Sequence, residues 1–137
     1  MDASDASQLI LYSLQNPIRY PKLSKIVAPG DKAVINISDL TRPYPSKEIL
    51  THVSDKLGDA GITDNDLIIV MESGLQRQMT SNEIENSISK SIFQRFQIIN
   101  HDPNDTIYLG ETSLDTQVDI FRLVVEADLR IYIGLEF

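Results

Sequence analysis

Cysteine is absent from the 137 residues, which excludes a disulfide framework, a thiolate nucleophile, an iron–sulfur cluster and any cysteine-based zinc site. Histidine occurs only as His52 and His101, leaving little material for a metal site. Long apolar runs are also missing. The longest, Leu67–Met71, falls far short of the ~20 residues that a membrane-spanning helix needs. Positive charge is scarce: 12 Lys and Arg stand against 20 Asp and Glu, a formal charge of −8, with the signs interspersed. Without a basic stripe, nucleic acid and anionic membrane are poor partners. The N-terminus, Met1-Asp2-Ala3-Ser4-Asp5, carries acid where a secretory signal carries base, so a cytoplasmic location is expected. What remains is ordinary globular material. A hydrophobic share of 42% excludes intrinsic disorder and collagen-like structure, and the length suits one domain.

The pattern predicts alternating helices and strands. Ser4 or Asp5 can cap a helix over 6–15 with apolar positions Leu9, Ile10, Tyr12 and Leu14, ended by Asn16-Pro17. Pro17, Pro21, Pro29 and Gly30 make the next stretch a connector around one helical turn at 23–27. Residues 33–37, short and rich in β-branched side chains, read as a strand buried on both faces of a parallel sheet. Ser46 is expected only to cap a helix over 46–60, with the stripe Ile49, Leu50, Val53, Leu57 facing the sheet and Gly58 or Gly61 ending it. Leu67–Met71 is a second buried strand, completing a parallel strand-helix-strand unit. Thr80 or Ser81 with Glu83 or Glu85 resembles a capping box for a helix through Ile84 and Ile88. A third strand is expected at 96–100, a hairpin pairing 106–110 with 117–120, a helical turn at 123–127 and a last strand over 129–135 that alternates less cleanly. The fold class is therefore α/β, a Rossmann-like three-layer domain with a mostly parallel sheet.

Ligands of open parallel sheets bind beyond the carboxyl ends of the strands, so the segments following each strand hold the candidates. After the first strand come Asp39, Thr41 and Arg42, in a loop stiffened by Pro43 and Pro45. A guanidinium grips carboxylate or phosphate in bidentate fashion, although Asp39 and Arg42 can equally pair with each other and close the loop. After the second come Gly74, Gln76 and Arg77. The glycine suits a tight turn or a close approach to ligand, and the other two are hydrogen-bonding groups that a solvated loop would also accommodate. After the third comes His101 between Asn100 and Asp102, read as a turn residue held by Asp102 with proton transfer as the alternative. His52 is expected at the surface of its helix. No dinucleotide-binding glycine fingerprint, Walker A loop, H-E-x-x-H or EF-hand loop occurs. The residues alone imply an anion site at the strand ends and no reaction.

In order, Pro29-Gly30-Asp31-Lys32 and Ser38-Asp39-Leu40-Thr41-Arg42-Pro43-Tyr44-Pro45 resemble the P-G-D-K-V and S-D-x-T-R-P-x-P signatures of the nickel-dependent lactate racemase family, N-terminal domain. Gly74-Leu75-Gln76-Arg77-Gln78-Met79-Thr80 is similar to its G-T-H-R-P-M-T, and Asn100-His101-Asp102 to its N-H-D. Leu109-Gly110-Glu111-Thr112-Ser113 is similar to its L-G-x-T-S. Asn16-Pro17-Ile18 and Glu126-Ala127-Asp128 match its N-P-I and E-A-D, so the resemblance runs from residue 16 to residue 128.

That family racemises or epimerises 2-hydroxy acids with a nickel-pincer nucleotide, which accepts a hydride from the substrate's α-carbon while two histidines serve as acid and base. The resemblance implies that Asp39, Thr41 and Arg42 bind cofactor, and that Arg42, Gly74 and Arg77 bind a small anionic substrate such as a 2-hydroxy acid. Gln76 stands where the family has a catalytic histidine, and an amide cannot take up a proton. The other catalytic histidine, the cofactor-bearing lysine and a nickel-ligating histidine lie downstream in the family, in and beyond a P-H-x-x-A-G-x-S-G-G-x-K stretch. Residues 1–137 are thus expected to form the N-terminal domain without the C-terminal catalytic one. Such a chain holds no covalent cofactor or metal of its own and is inactive alone, completed by a C-terminal-domain partner chain or a homo-oligomer. The alternative is a non-catalytic module binding a small anion, a nucleotide or a protein.

Overall fold

The computed structural model describes residues 3–37, 46–72, 80–88 and 90–134. In chain order the elements are α1 (Ala3–Gln15), α2 (Leu23–Ile26), β1 (Ala33–Ile37), α3 (Ser46–Asp59), β2 (Leu67–Met71), α4 (Ser81–Ser87), α5 (Lys90–Arg95), β3 (Gln97–Asn100), β4 (Thr106–Glu111), β5 (Gln117–Phe121), α6 (Arg122–Glu126) and β6 (Leu129–Ile133). A 3₁₀ turn at Asp64–Asp66 leads into β2.

Strands β3-β2-β1-β6 form a four-stranded sheet in which every neighbouring pair is parallel, while β4 and β5 make a separate antiparallel hairpin. Strand alternation divides the side chains between two faces. On the first, Ala33, Ile35, Ile37, Leu67, Ile69, Met71 and Ile133 meet Leu50, Val53, Leu57, Ile84, Ile88, Ile92 and Phe96, with Leu14, Leu23 and Val27 at the margin. All of α1 to α5 therefore lie on this side. On the second face Val34 and Val70 meet Phe121, Val124 and Ala127, so α6 and the end of the hairpin make the thin third layer.

Local sequence explains the joints. Thr80 accepts a hydrogen bond from the Glu83 amide and Glu83 accepts one from the Thr80 amide, the expected capping box, and α4 then gives way to a separate α5. Gly61, at φ +103°, ends α3: its amide reaches the Gly58 carbonyl, and that of Ile62 reaches Leu57, the pairing of a Schellman close. A Cβ on Gly61 would stand 2.8 Å from the Pro29 ring, so this glycine also lets the turn before β1 pack against the end of α3.

Several expectations need correction. The first helix starts at Ala3 rather than residue 6, and Tyr12 is 67% exposed; its inward face runs through Ile10 and Leu14, which are half-buried. That face packs against α3. The last strand ends at Ile133 rather than residue 135 and alternates cleanly, with Leu129, Ile131 and Ile133 inward on the first face. The helical turn spans Arg122–Glu126 instead of 123–127. His52 is half-buried, since it adjoins the inward Val53 on α3.

Candidate functional site

The register fixes what the strand ends bring together. Ile37 pairs with Met71 and with Ile133, and Met71 pairs with Asn100, so four parallel strands finish on one level. One further rung extends beyond them: the Glu72 amide donates to Ile37 and the His101 amide to Met71, both at 2.9 Å. The segments that begin at residues 38, 73 and 101 therefore leave from neighbouring points along one edge. Chain order adds a second constraint. From β1 the chain proceeds outward through β2 to β3, then returns to β6 on the opposite side of β1, which places the topological switch point between β1 and β6.

Asp39, Thr41 and Arg42 after β1, and Gly74, Gln76 and Arg77 after β2, lie outside the described residues. His101 is described, and its surroundings differ from the expected turn. Asp102 Oδ1 accepts from the Asn104 amide at 2.8 Å rather than holding the imidazole. The His101 ring instead meets Phe121 edge-on, with centroids 5.2 Å apart, which puts it on the second face of the sheet. The turn after β3 is pinned from the hairpin side, where Arg122 Nε donates to Asp105 Oδ1 at 2.8 Å and the Arg122 amide donates to the Asp105 carbonyl. This hydrogen bond raises the pKa of the Arg122 guanidinium.

Two other arginines are committed elsewhere. Arg130 Nε and Nη2 donate to the Val124 and Val125 carbonyls at 2.8 and 3.0 Å, closing the end of α6. Arg95 Nε donates to Asp64 Oδ2 at 2.8 Å, at the amino end of the sheet, opposite the candidate site. That hydrogen bond holds the Asp64 carboxyl below the usual carboxylate range.

Sequence reading missed Asn36. It lies in β1 one residue before the strand end, 1% exposed, on the face of Val34 and between its register partners Val70 and Tyr132. Among the described residues neither Nδ2 nor Oδ1 has a hydrogen-bond partner. A buried polar group left unpaired costs about 1–3 kcal/mol. The available signal is a lone amide inside the otherwise apolar run Ala33–Ile37.

An apolar groove of about 200 Å³, lined in part by Leu14, Tyr20, Leu23 and Ile131, lies on the first face beside α1 and α2.

Comparison with known proteins bears on this edge. A family model described as the lactate racemase N-terminal domain matches residues 1–137. The lactate racemase of Lactiplantibacillus plantarum is 30% identical over 125 residues, covering 89% of this chain and 29% of that protein. That of Thermoanaerobacterium thermosaccharolyticum is 26% identical over 129 residues, covering 92% and 30%. The chain thus spans under a third of the length of the curated relatives it matches. The structure of the T. thermosaccharolyticum lactate racemase apoprotein superposes with a TM-score of 0.79 at 26% identity, over 92% of this chain and 31% of that one. A Thermotoga maritima protein, 19% identical, shares the fold at a TM-score of 0.68 over 92% of this chain and 32% of its own.

Proposed function

Since the chain belongs to the lactate racemase N-terminal domain family, we propose that it supplies the strand-end half of a pocket for a 2-hydroxy acid and a nickel-pincer nucleotide, and that it does not racemise alone. The observation that carries this reading is the parallel register, which starts the segments bearing Arg42 and Gln76 side by side beyond β1 and β2. In this reading Arg42 takes a carboxylate or phosphate, Asp39 and Thr41 bond cofactor hydroxyls, and the Gly74 loop with Arg77 adjoins the substrate. These side chains, together with the unpaired amide of Asn36, are hydrogen-bonding groups rather than a nickel donor set, so they fit the nucleotide and carboxylate parts of such a ligand. When bound, the pincer supplies a hydride acceptor for the substrate's α-carbon. The chain's own contribution is to bind, orient and exclude water.

Completion of the cleft falls to a second domain. Among the described residues no helix is long and apolar enough to cross a membrane. Gln76 favours a second reading, binding of a small anion or nucleotide without turnover, because the amide cannot replace a general base.

Calorimetric titration of the 137-residue chain with D- and L-lactate tests the proposal. Binding that disappears in Arg42→Ala at an unchanged melting temperature is the expected result. A collapse of melting temperature in that variant would show that Arg42 serves the fold by pairing with Asp39. Chiral chromatography should find no interconversion of lactate by the chain alone, and turnover surviving Gln76→Ala would contradict the role given to that position.

A further inference from the structure

Strand interiors favour β-branched side chains, and the two positions flanking Asn36 on its face of the sheet, Val34 and Val70, conform to that preference. Asn36 departs from it at the most constrained place available, the penultimate residue of the strand from which the topology reverses. A carboxamide has two donor hydrogens and two acceptor lone pairs. Among the described residues none of this capacity is used by Asn36. Departures from local consistency of this kind concentrate at functional sites.

Resting on the proposed function above, we infer that Asn36 is a ligand-contacting residue of the strand-end site and that it reads the hydroxyl of a 2-hydroxy carboxylate. A carboxamide presents a donor and an acceptor side by side, and a 2-hydroxy acid presents the complement: its carboxylate accepts from Nδ2–H and its hydroxyl donates to Oδ1. The division of labour with Arg42 follows from chemistry. A guanidinium recognises any carboxylate, whereas a group hydrogen-bonded to the hydroxyl distinguishes a hydroxylated acid from its deoxy analogue. Both amide atoms are shielded from solvent. The contact therefore forms in a dry site, where a hydrogen bond is stronger than in water.

The test compares lactate with propionate, which lacks the hydroxyl, by calorimetry on the wild-type chain, Asn36→Val and Asn36→Ala. The wild type should bind lactate tenfold or more tightly than propionate. Both variants should bring that preference to within about twofold, because the hydroxyl then has no acceptor. Asn36→Val should also melt about 5 °C higher, as an unpaired buried amide is replaced by a side chain suited to the strand. Retention of the full lactate preference in a folded variant overturns the inference and leaves the proposed function standing. A lower melting temperature for Asn36→Val overturns it as well, since the amide would then be serving the fold. If the wild type binds neither acid, the proposed function fails and the role of Asn36 falls with it.

Discussion

Among the described residues, five helices cover one face of the parallel sheet, and a single five-residue helix with the open end of a hairpin covers the other. On the first face strand side chains are apolar from β1 to β6 and close on a continuous core. On the second, apolar burial centres on Val34 and Val70, the rung of Val70 also carries the unpaired Asn36 and Tyr132, which is 64% exposed, and His101 lies against Phe121 beyond the end of β3. The difference teaches where stability and recognition reside. A face packed by α1 to α5 can support a central strand that carries one poorly satisfied residue on its other side. The thin face leaves polar side chains near the strand ends, where a ligand is expected.

The largest expected effect tests the packed face. Leu50→Ala should destabilise the chain by about 3–5 kcal/mol in urea unfolding, because Leu50 is fully buried beneath α3 and its neighbours are held too firmly to collapse into the cavity. Val124→Ala, equally buried but on α6, should cost only about 1 kcal/mol, since a short helix can settle onto the space. Equal losses per methyl group removed would break the distinction between the faces.

A smaller loss is expected within the packed layer. Thr80→Ala removes the capping box of α4 and should cost about 1 kcal/mol, with amide exchange accelerating first in Ser81–Ser87. Uniform acceleration over the whole chain would show instead that α4 does not open separately from the core.

The smallest effect concerns the amino end of the sheet. The Asp64 carboxyl is held below its ordinary value of 3.8 by the Arg95 hydrogen bond, so its contribution is present above that value and fades as pH falls through the lower folded-state value. Both side chains are well exposed, so the contribution is small and screened by salt. Asp64→Asn should therefore match the wild type in 1 M NaCl and differ from it slightly at low salt above pH 4. A difference that persists in high salt would mean that the pair bears more weight than its exposure allows.

Much of this architecture was legible in the sequence, for identifiable reasons. β1 and β2 are bounded by turn residues and, apart from Asn36, composed of β-branched or aliphatic side chains, and both occur at the expected positions. The Thr80 box was readable because both partners are local. The inward face of α1 was not, because Leu9 and Tyr12 are as apolar as Ile10 and only the angle at which α1 meets α3 distinguishes them. The strand-end location proposed for the site rests on the parallel order and on the resemblance. Asn36 escaped because the lack of a hydrogen-bond partner is a property of three-dimensional surroundings. His101 was assigned to Asp102 by adjacency, whereas its ring contact is with Phe121, twenty residues away in the chain.

The account's central claim is that the strand-end edge, and no other surface of the chain, receives a small hydroxy acid. Titrating the ¹⁵N-labelled 137-residue chain with lactate while following its amide resonances tests this directly. The account predicts shifts confined to the Asn36 side-chain amide and the backbone just beyond Ile37, Met71 and Asn100. Shifts centred on the groove beside Leu14, Leu23 and Ile131, or no shifts at any resonance, would contradict it.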